Sequence, residues 1–199
     1  MTGESPDREA LVTTFSGGDA ATRALVVYES MFGNTKAIAE AVAFGLAGDV
    51  ELAEVGTAPT DIASDVGLVV VGGPTHAFGM SRPATRRSAT EASGGPVMSE
   101  RIGIREWLGE ISALSTTAVA VFDTRIDRPR IPGSAARAAN RRLRRIGLPA
   151  IVAPESFYVL GTSGPLKDGE RSRAVSWGAH LASLVRPVFE TVGSLERSR

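Results

Sequence analysis

The sequence predicts an α/β fold: a three-layer α/β/α sandwich on a five-stranded parallel sheet in the order 2-1-3-4-5. Three observations predict it. Apolar runs at residues 24–28, 67–71 and 117–122 are continuous rather than alternating, as strands buried on both faces are. Segments with helical spacing separate the strands, which calls for parallel pairing with helices on both faces. Two further strand segments carry edge marks, because residues 50–55 alternate strictly and Pro154 interrupts residues 151–159. These are the second and fifth strands of the chain, and placing them at the two edges gives the order.

Residues 24–28, ALVVY, make the first strand. From Asn34, apolar residues at Ile38, Ala41, Val42 and Leu46 mark one face of a helix, with Gly48 as its stop. After the strand at 50–55, residues 59–65 leave room for a short helix. The third strand, GLVVV at 67–71, runs into Gly72, Gly73 and Pro74. Residues 81–100 form a long connection, either a lid or partner-binding segment or a disordered one. A helix over 102–114 turns Ile104, Trp107, Leu108, Ile111 and Leu114 inward. The fourth strand, 117–122, precedes a strongly basic helix at 134–146, and the strand at 151–159 precedes a helix at 169–185. Asp168 is placed to cap that helix, whose Trp177, Leu181, Leu184 and Val185 point inward. Residues 1–22 read as a disordered tail and 23–199 as a single domain.

Composition excludes several classes of function. Lys and Arg total 22 and so do Asp and Glu, so a net charge of +0 gives no global reason for nucleic acid or an anionic membrane. No cysteine is present, which rules out disulfides, thiolate chemistry and cysteine-held iron–sulfur clusters. The two histidines, His76 and His180, stand far apart and argue against zinc. No apolar run approaches the ~20 residues that span a bilayer. The first residues lack a basic start followed by an apolar stretch, so a cytoplasmic protein is expected.

The stretch LVVYESMFGNTKAIAEAV, residues 25–42, raises the functional question. A strand passes to a helix through Ser30, Met31, Phe32, Gly33, Asn34 and Thr35, at the carboxyl end of the strand beside the switch point of the sheet. Unpaired N–H groups and the helix dipole attract anions there. Ser30 and Thr35 add hydroxyls, Asn34 an amide, and Gly33 permits the positive φ of an anion nest. Two readings stand, an anion site or a plain turn with a cap. Lys36 reads as a solvated first-turn lysine.

Other chemistries lack their motifs. No two glycines stand two apart, and neither GxxxxGK[ST] nor GxSxG occurs. Glu29 and Asp123 fall at strand ends as a candidate carboxylate pair, without an evident partner lysine. Residues 123–145 carry eight arginines against two aspartates, a net charge of +6. This segment, the patch at 125–145, is either a docking surface for an acidic partner or phosphate groups, or a solvated helix face whose arginine stems cover apolar surface.

Three stretches carry a family resemblance. ESMFGNTKAIAEAVAFGL resembles the phosphate loop of flavodoxins, a Ser/Thr-x-Thr-Gly-x-Thr pattern before the first helix; Ser30, Gly33, Asn34 and Thr35 match, and Phe32 replaces the central hydroxyl residue. VVVGGPTHAFGMSRP looks like the third strand and following flavin loop of that family, and FYVLGTSGPLKDGERSRAVSWGAHLA is similar to its C-terminal part. The likeness covers residues 24–185. It implies bound FMN, with the phosphate on Ser30, Met31, Phe32, Gly33, Asn34 and Thr35. It places the isoalloxazine ring between one loop holding Pro74, Thr75, His76, Phe78, Gly79 and Met80 and another holding Asp123, Thr124, Arg125 and Ile126. Gly79 stands where the family has a glycine whose peptide can flip towards the reduced flavin, and Phe78 or His76 would stack on the ring. Met80 would add a sulfur contact. Two departures are plain: the loop after the fourth strand offers no tyrosine, leaving Arg125 to stack instead, and the chain is neutral where flavodoxins are commonly acidic. The implied function is electron transfer, with a redox partner protein or an NAD(P)H-dependent reductase as partner. The alternatives are an FMN-dependent quinone or NAD(P)H reductase, and a flavin-free scaffold that binds a partner through the basic patch.

Overall fold

The structure, a computed structural model, describes residues 23–113, 116–129 and 132–195, with side chains up to residue 185 in the last stretch. The expected tail, Leu114 and Arg130 lie outside the described residues. Five strands, β1 (Arg23–Tyr28), β2 (Val50–Glu54), β3 (Val66–Pro74), β4 (Ala118–Ile126) and β5 (Glu155–Val159), form one sheet. Its order is β2-β1-β3-β4-β5 and every pairing is parallel. The five helices are α1 (Asn34–Leu46), α2 (Pro83–Ser93), α3 (Ile104–Glu110), α4 (Ala135–Arg145) and α5 (Glu170–Leu195).

Alternation along each strand divides the core between the two faces. Leu25, Val27, Val69, Val71, Val119 and Val121 pack with Ile104, Trp107 and Leu108 of α3 and with Ala139 and Leu143 of α4. Val26, Tyr28, Leu68, Val70, Ala120 and Phe122 pack with Ile38 and Val42 of α1 and with Ala174 and Leu181 of α5. On this second face Phe122, Phe157 and Trp177 meet edge to face, with centroids 5.8, 6.0 and 6.1 Å apart. Gly72 makes room for the cluster, since a Cβ there would stand 2.0 Å from the Phe122 ring.

Several sequence expectations need correction. Residues 59–65 form no helix; they run irregularly, with a bend at Thr60 and a turn at Ser64 and Asp65, and Asp61 bridges Ser112 instead. The presumed loop at 81–100 contains α2, which starts on Pro83 and ends at Gly94 with φ +70. The helix expected over 102–114 is α3 alone, because Ile111 already turns extended with φ -62 and ψ 132. Strand β5 begins only after Pro154, whose missing N–H cannot join the ladder. Gly169, not Asp168, takes the cap position of α5: its carbonyl accepts the first helical bond, from the Arg173 N–H at 2.9 Å.

Candidate functional site

The carboxyl ends of β1, β3 and β4 frame a cleft of about 390 Å3. That size falls within the roughly 300–1,000 Å3 of small-molecule sites. The loop after β1 supplies Ser30, Met31, Phe32, Asn34 and Thr35; the loop after β3 supplies Pro74, Thr75, His76 and Ala77; Thr124, Arg125 and Ile126 close the far side. Val159 and Thr162 complete that side. The remaining wall is α2, through Thr85, Ser88, Ala89 and Ala92, which recur at the spacing of one helical face.

Local chemistry fixes each loop. Gly33 adopts φ 86 at the N-cap position of α1, and no side chain caps the helix. The first N–H groups of α1 are thus left for a ligand or water. The Gly33 N–H donates to the Ser30 hydroxyl at 3.1 Å, which leaves the serine its own proton to donate. The hydroxyls of Thr35 and Thr124 lie 2.7 Å apart, buried, and join the first turn of α1 to the end of β4. The Asn34 side chain reaches the Ser163 carbonyl at 3.0 Å and so ties the loop after β5 to the site. The segment after α2 pairs with the loop after β1, through the Ser99 N–H on the Ser30 carbonyl at 3.0 Å.

Behind the loop after β3, Asp123 accepts from the Thr75 hydroxyl at 3.0 Å, the Ser134 hydroxyl at 2.6 Å and the Ala136 N–H at 3.0 Å. It therefore caps α4 from beneath the sheet and does not line the cleft. The loop itself closes on two bonds of 2.8 Å between the His76 and Gly79 backbones. Ala77 and Phe78 occupy the turn at φ 37 and φ 74, while Gly79 carries no positive φ. The strained peptide thus lies one or two residues before the glycine that sequence reasoning singled out. Phe78 is 63% exposed and stands outside the cleft, and Met80 is buried against α3. Gly33 faces a neighbouring depression shared with Lys167, Asp168 and Arg171. The cleft therefore gathers eleven of the sequence-selected residues, Ile126 among them, and leaves out Gly33, Phe78, Gly79, Met80 and Asp123.

Arg86 went unselected and is the anchor of the site's wall. Fully buried on α2, it donates to the Ser81 hydroxyl at 2.9 Å, Glu106 at 3.1 Å and the carbonyls of Glu100 and Arg101, each at 3.2 Å. Nothing in a run of polar residues marks an arginine as the buried one. Nearby, Glu29 is also buried and accepts from the Ile104 N–H at 2.9 Å, while its second oxygen has no partner. Burial pushes its carboxyl up to about 7, against the lowering influence of the Ser81 hydroxyl, the Ile104 N–H and Arg86. Glu29 and Asp123 do not pair, because β3 lies between their strands. In the cleft, burial and then the charge of Arg86 hold His76 below the ordinary histidine range. Among the described residues no cluster of side chains could hold a metal ion.

A parallel α/β sheet with a cleft at its switch point defines an α/β protein of the doubly wound class. The particular fold is flavodoxin-like. An oxidised flavodoxin 1 from Bacillus cereus matches 81% of this chain and 98% of its own length, at 14% identity and a TM-score of 0.60. A flavodoxin from the domain Archaea matches at 18% identity, 83% and 99% coverage and a TM-score of 0.56. A Streptococcus pneumonia TIGR4 flavodoxin does so at 17% identity, 82% and 100% coverage and a TM-score of 0.55. No family model and no curated protein matches the chain.

Proposed function

We propose that the cleft binds FMN and that the protein acts in electron transfer as a flavodoxin-like carrier. The observation that carries this reading is the uncapped N-terminus of α1, opening with the Ser30 hydroxyl into a cleft of small-molecule size. The residues present fit the group. Among the described residues no Asp or Glu lines the cleft, so a phosphate there meets no like charge from them, and Arg125 adds a cation. Ser30, Asn34, Thr35 and the first N–H groups of α1 would hold the phosphate; Thr75, His76, Thr124 and Arg125 would flank the ring. Bound there, the flavin supplies the redox chemistry, and the chain supplies position and electrostatics. A redox partner protein or an NAD(P)H-dependent reductase would serve as donor, in the cytoplasm. Among the described residues no helix is long and apolar enough to cross a membrane.

One observation favours a second reading, an FMN-dependent reductase of quinones or similar acceptors. The small residues Thr85, Ser88, Ala89 and Ala92 of α2 form one wall of the cleft, against which a small acceptor would rest beside the flavin. Absorbance titration of the purified protein with FMN and with riboflavin tests the shared premise. FMN should bind at one equivalent and riboflavin much more weakly. Equal affinity, or no uptake of either, would overturn the FMN reading. Bleaching of bound flavin by NADPH with no other protein present would select the reductase over the carrier.

A further inference from the structure

The cleft-lining residues include two side chains with a basic group, His76 and Arg125, and no Asp, Glu, Tyr, Lys or Cys. Arginine keeps its proton at any working pH. Among the described residues, His76 is therefore the only lining side chain able to gain or lose a proton near neutrality. We propose that His76 takes up the proton that balances the charge when flavin bound in this cleft is reduced. This rests on the FMN reading of the site.

The geometry supports that role. Both backbone groups of His76 are committed to Gly79, and its neighbour Thr75 is tied to Asp123 and to the Ala135 N–H at 2.9 Å. The imidazole is thus held on a fixed loop at the cleft wall. The charges around it are Arg86 from α2 and Arg125 from the end of β4. Glu106 of α3 is bonded to Arg86, Glu29 is buried under α3, and Asp123 is buried against α4. From α1 the cleft receives only the uncharged Asn34 and Thr35. In this surrounding the imidazole is neutral before reduction, since burial and Arg86 both disfavour its charged form. Two electrons enter from an external donor. One proton goes to the isoalloxazine and a second, from solvent, to His76, so the net charge of the cleft is unchanged. Without the second proton a negative charge would remain in a half-buried site.

The chain's two histidines make the test direct, because His180 on α5 is exposed and serves as an internal reference. The imidazole resonances are titrated by NMR in the FMN-free protein, the FMN-loaded oxidised protein and the same sample reduced with dithionite. His76 should titrate below the ordinary histidine range in the first two states. On reduction its proton affinity should rise by about tenfold or more, the effect of one opposite charge within about 4–6 Å. His180 should not move. In parallel, proton uptake on reduction, read in weak buffer at a pH midway between the two titration midpoints, should fall by about half a proton or more in His76→Gln, which retains a polar side chain. An unmoved His76 in protein that has taken up FMN, or equal proton uptake by the variant, overturns this inference alone. Failure to take up FMN removes the parent reading, and this one with it.

Discussion

Thr35 places one hydroxyl where β4 and α1 meet, 2.7 Å from Thr124 and inside the cleft. If it also reaches a bound phosphate, Thr35→Ala should weaken FMN by about 1.5–3 kcal/mol, as for hydrogen bonds to charged groups. The same change should leave the weaker binding of riboflavin nearly unaltered, which fluorescence-quenching titrations would read; an equal loss for both flavins would make Thr35 a structural strut. Glu29 gives a second prediction. Its carboxyl stands at about 7 in the fold and near 4.5 when unfolded, so between these values the folded state holds a proton that the unfolded chain has released. That stability is fully present below the unfolded value, falls as pH rises through the window and levels off above the folded value. Glu29→Gln keeps an acceptor for the Ile104 N–H and cannot ionise. Relative to the native chain it should gain up to about 3 kcal/mol between acid and neutral pH, measured by urea unfolding at several pH values. A constant difference across the range would mean that Glu29 titrates normally. At this scale the sequence showed which hydroxyls and amides gather at the switch point. It did not show orientation. Asp123 and Phe78 sit at the right strand end and loop, yet one points under the sheet and the other into solvent.

The elements that sequence reading located are those with a large apolar face. α1 is read from Ile38, Val42 and Leu46, and α3 from Trp107 and Leu108, because burying these side chains is what holds such helices in place. α2 was missed for the opposite reason. Its buried positions are Arg86 and Ala89, so it offers no apolar period, and it is held by the hydrogen bonds of the Arg86 guanidinium together with the small packing of Ala89 on Met31 and Val97. Pro83 at its start and Gly94 past its end were the legible signals. The pairing of α1 with α5 depends on absent side chains. A Cβ on Gly178 would stand 2.3 Å from the Val42 carbonyl oxygen, and one on Gly45 would stand 2.0 Å from that of Val175. Gly178→Ala should therefore destabilise the protein by about 1–3 kcal/mol, as overpacking does, even though alanine is favoured over glycine by about 1 kcal/mol in a helix interior. Thermal unfolding would read the difference, and a stabilised variant would show that the helices lie further apart than this.

Across the whole molecule a chain of zero net charge carries five of its 22 Lys and Arg residues on the single helix α4. Arg137, Arg141, Arg144 and Arg145 of α4 are exposed, and among the described residues none meets a carboxylate. Arg137 with Arg141, and Arg141 with Arg145, are like charges at i,i+4, each costing a few tenths of a kcal/mol. Arg142 differs, donating to the Leu108 carbonyl at 3.1 Å, and belongs to the contact between α3 and α4. The helix starts beside the cleft, where Ser134 meets Asp123, and runs back along the sheet to its opposite end. An acidic partner on this stripe would leave the cleft open, so anchoring and electron transfer would use different surfaces. Replacing the four exposed arginines by Gln should abolish binding of poly-L-glutamate at low salt, and in the native protein that binding should fade as salt screens it. FMN affinity should not change, and thermal stability should hold or rise slightly as the repulsion is removed. Binding that survives the four substitutions would leave the stripe a solvated helix face. A fall in FMN affinity would instead mean that its field reaches the cleft, joining the two surfaces into one.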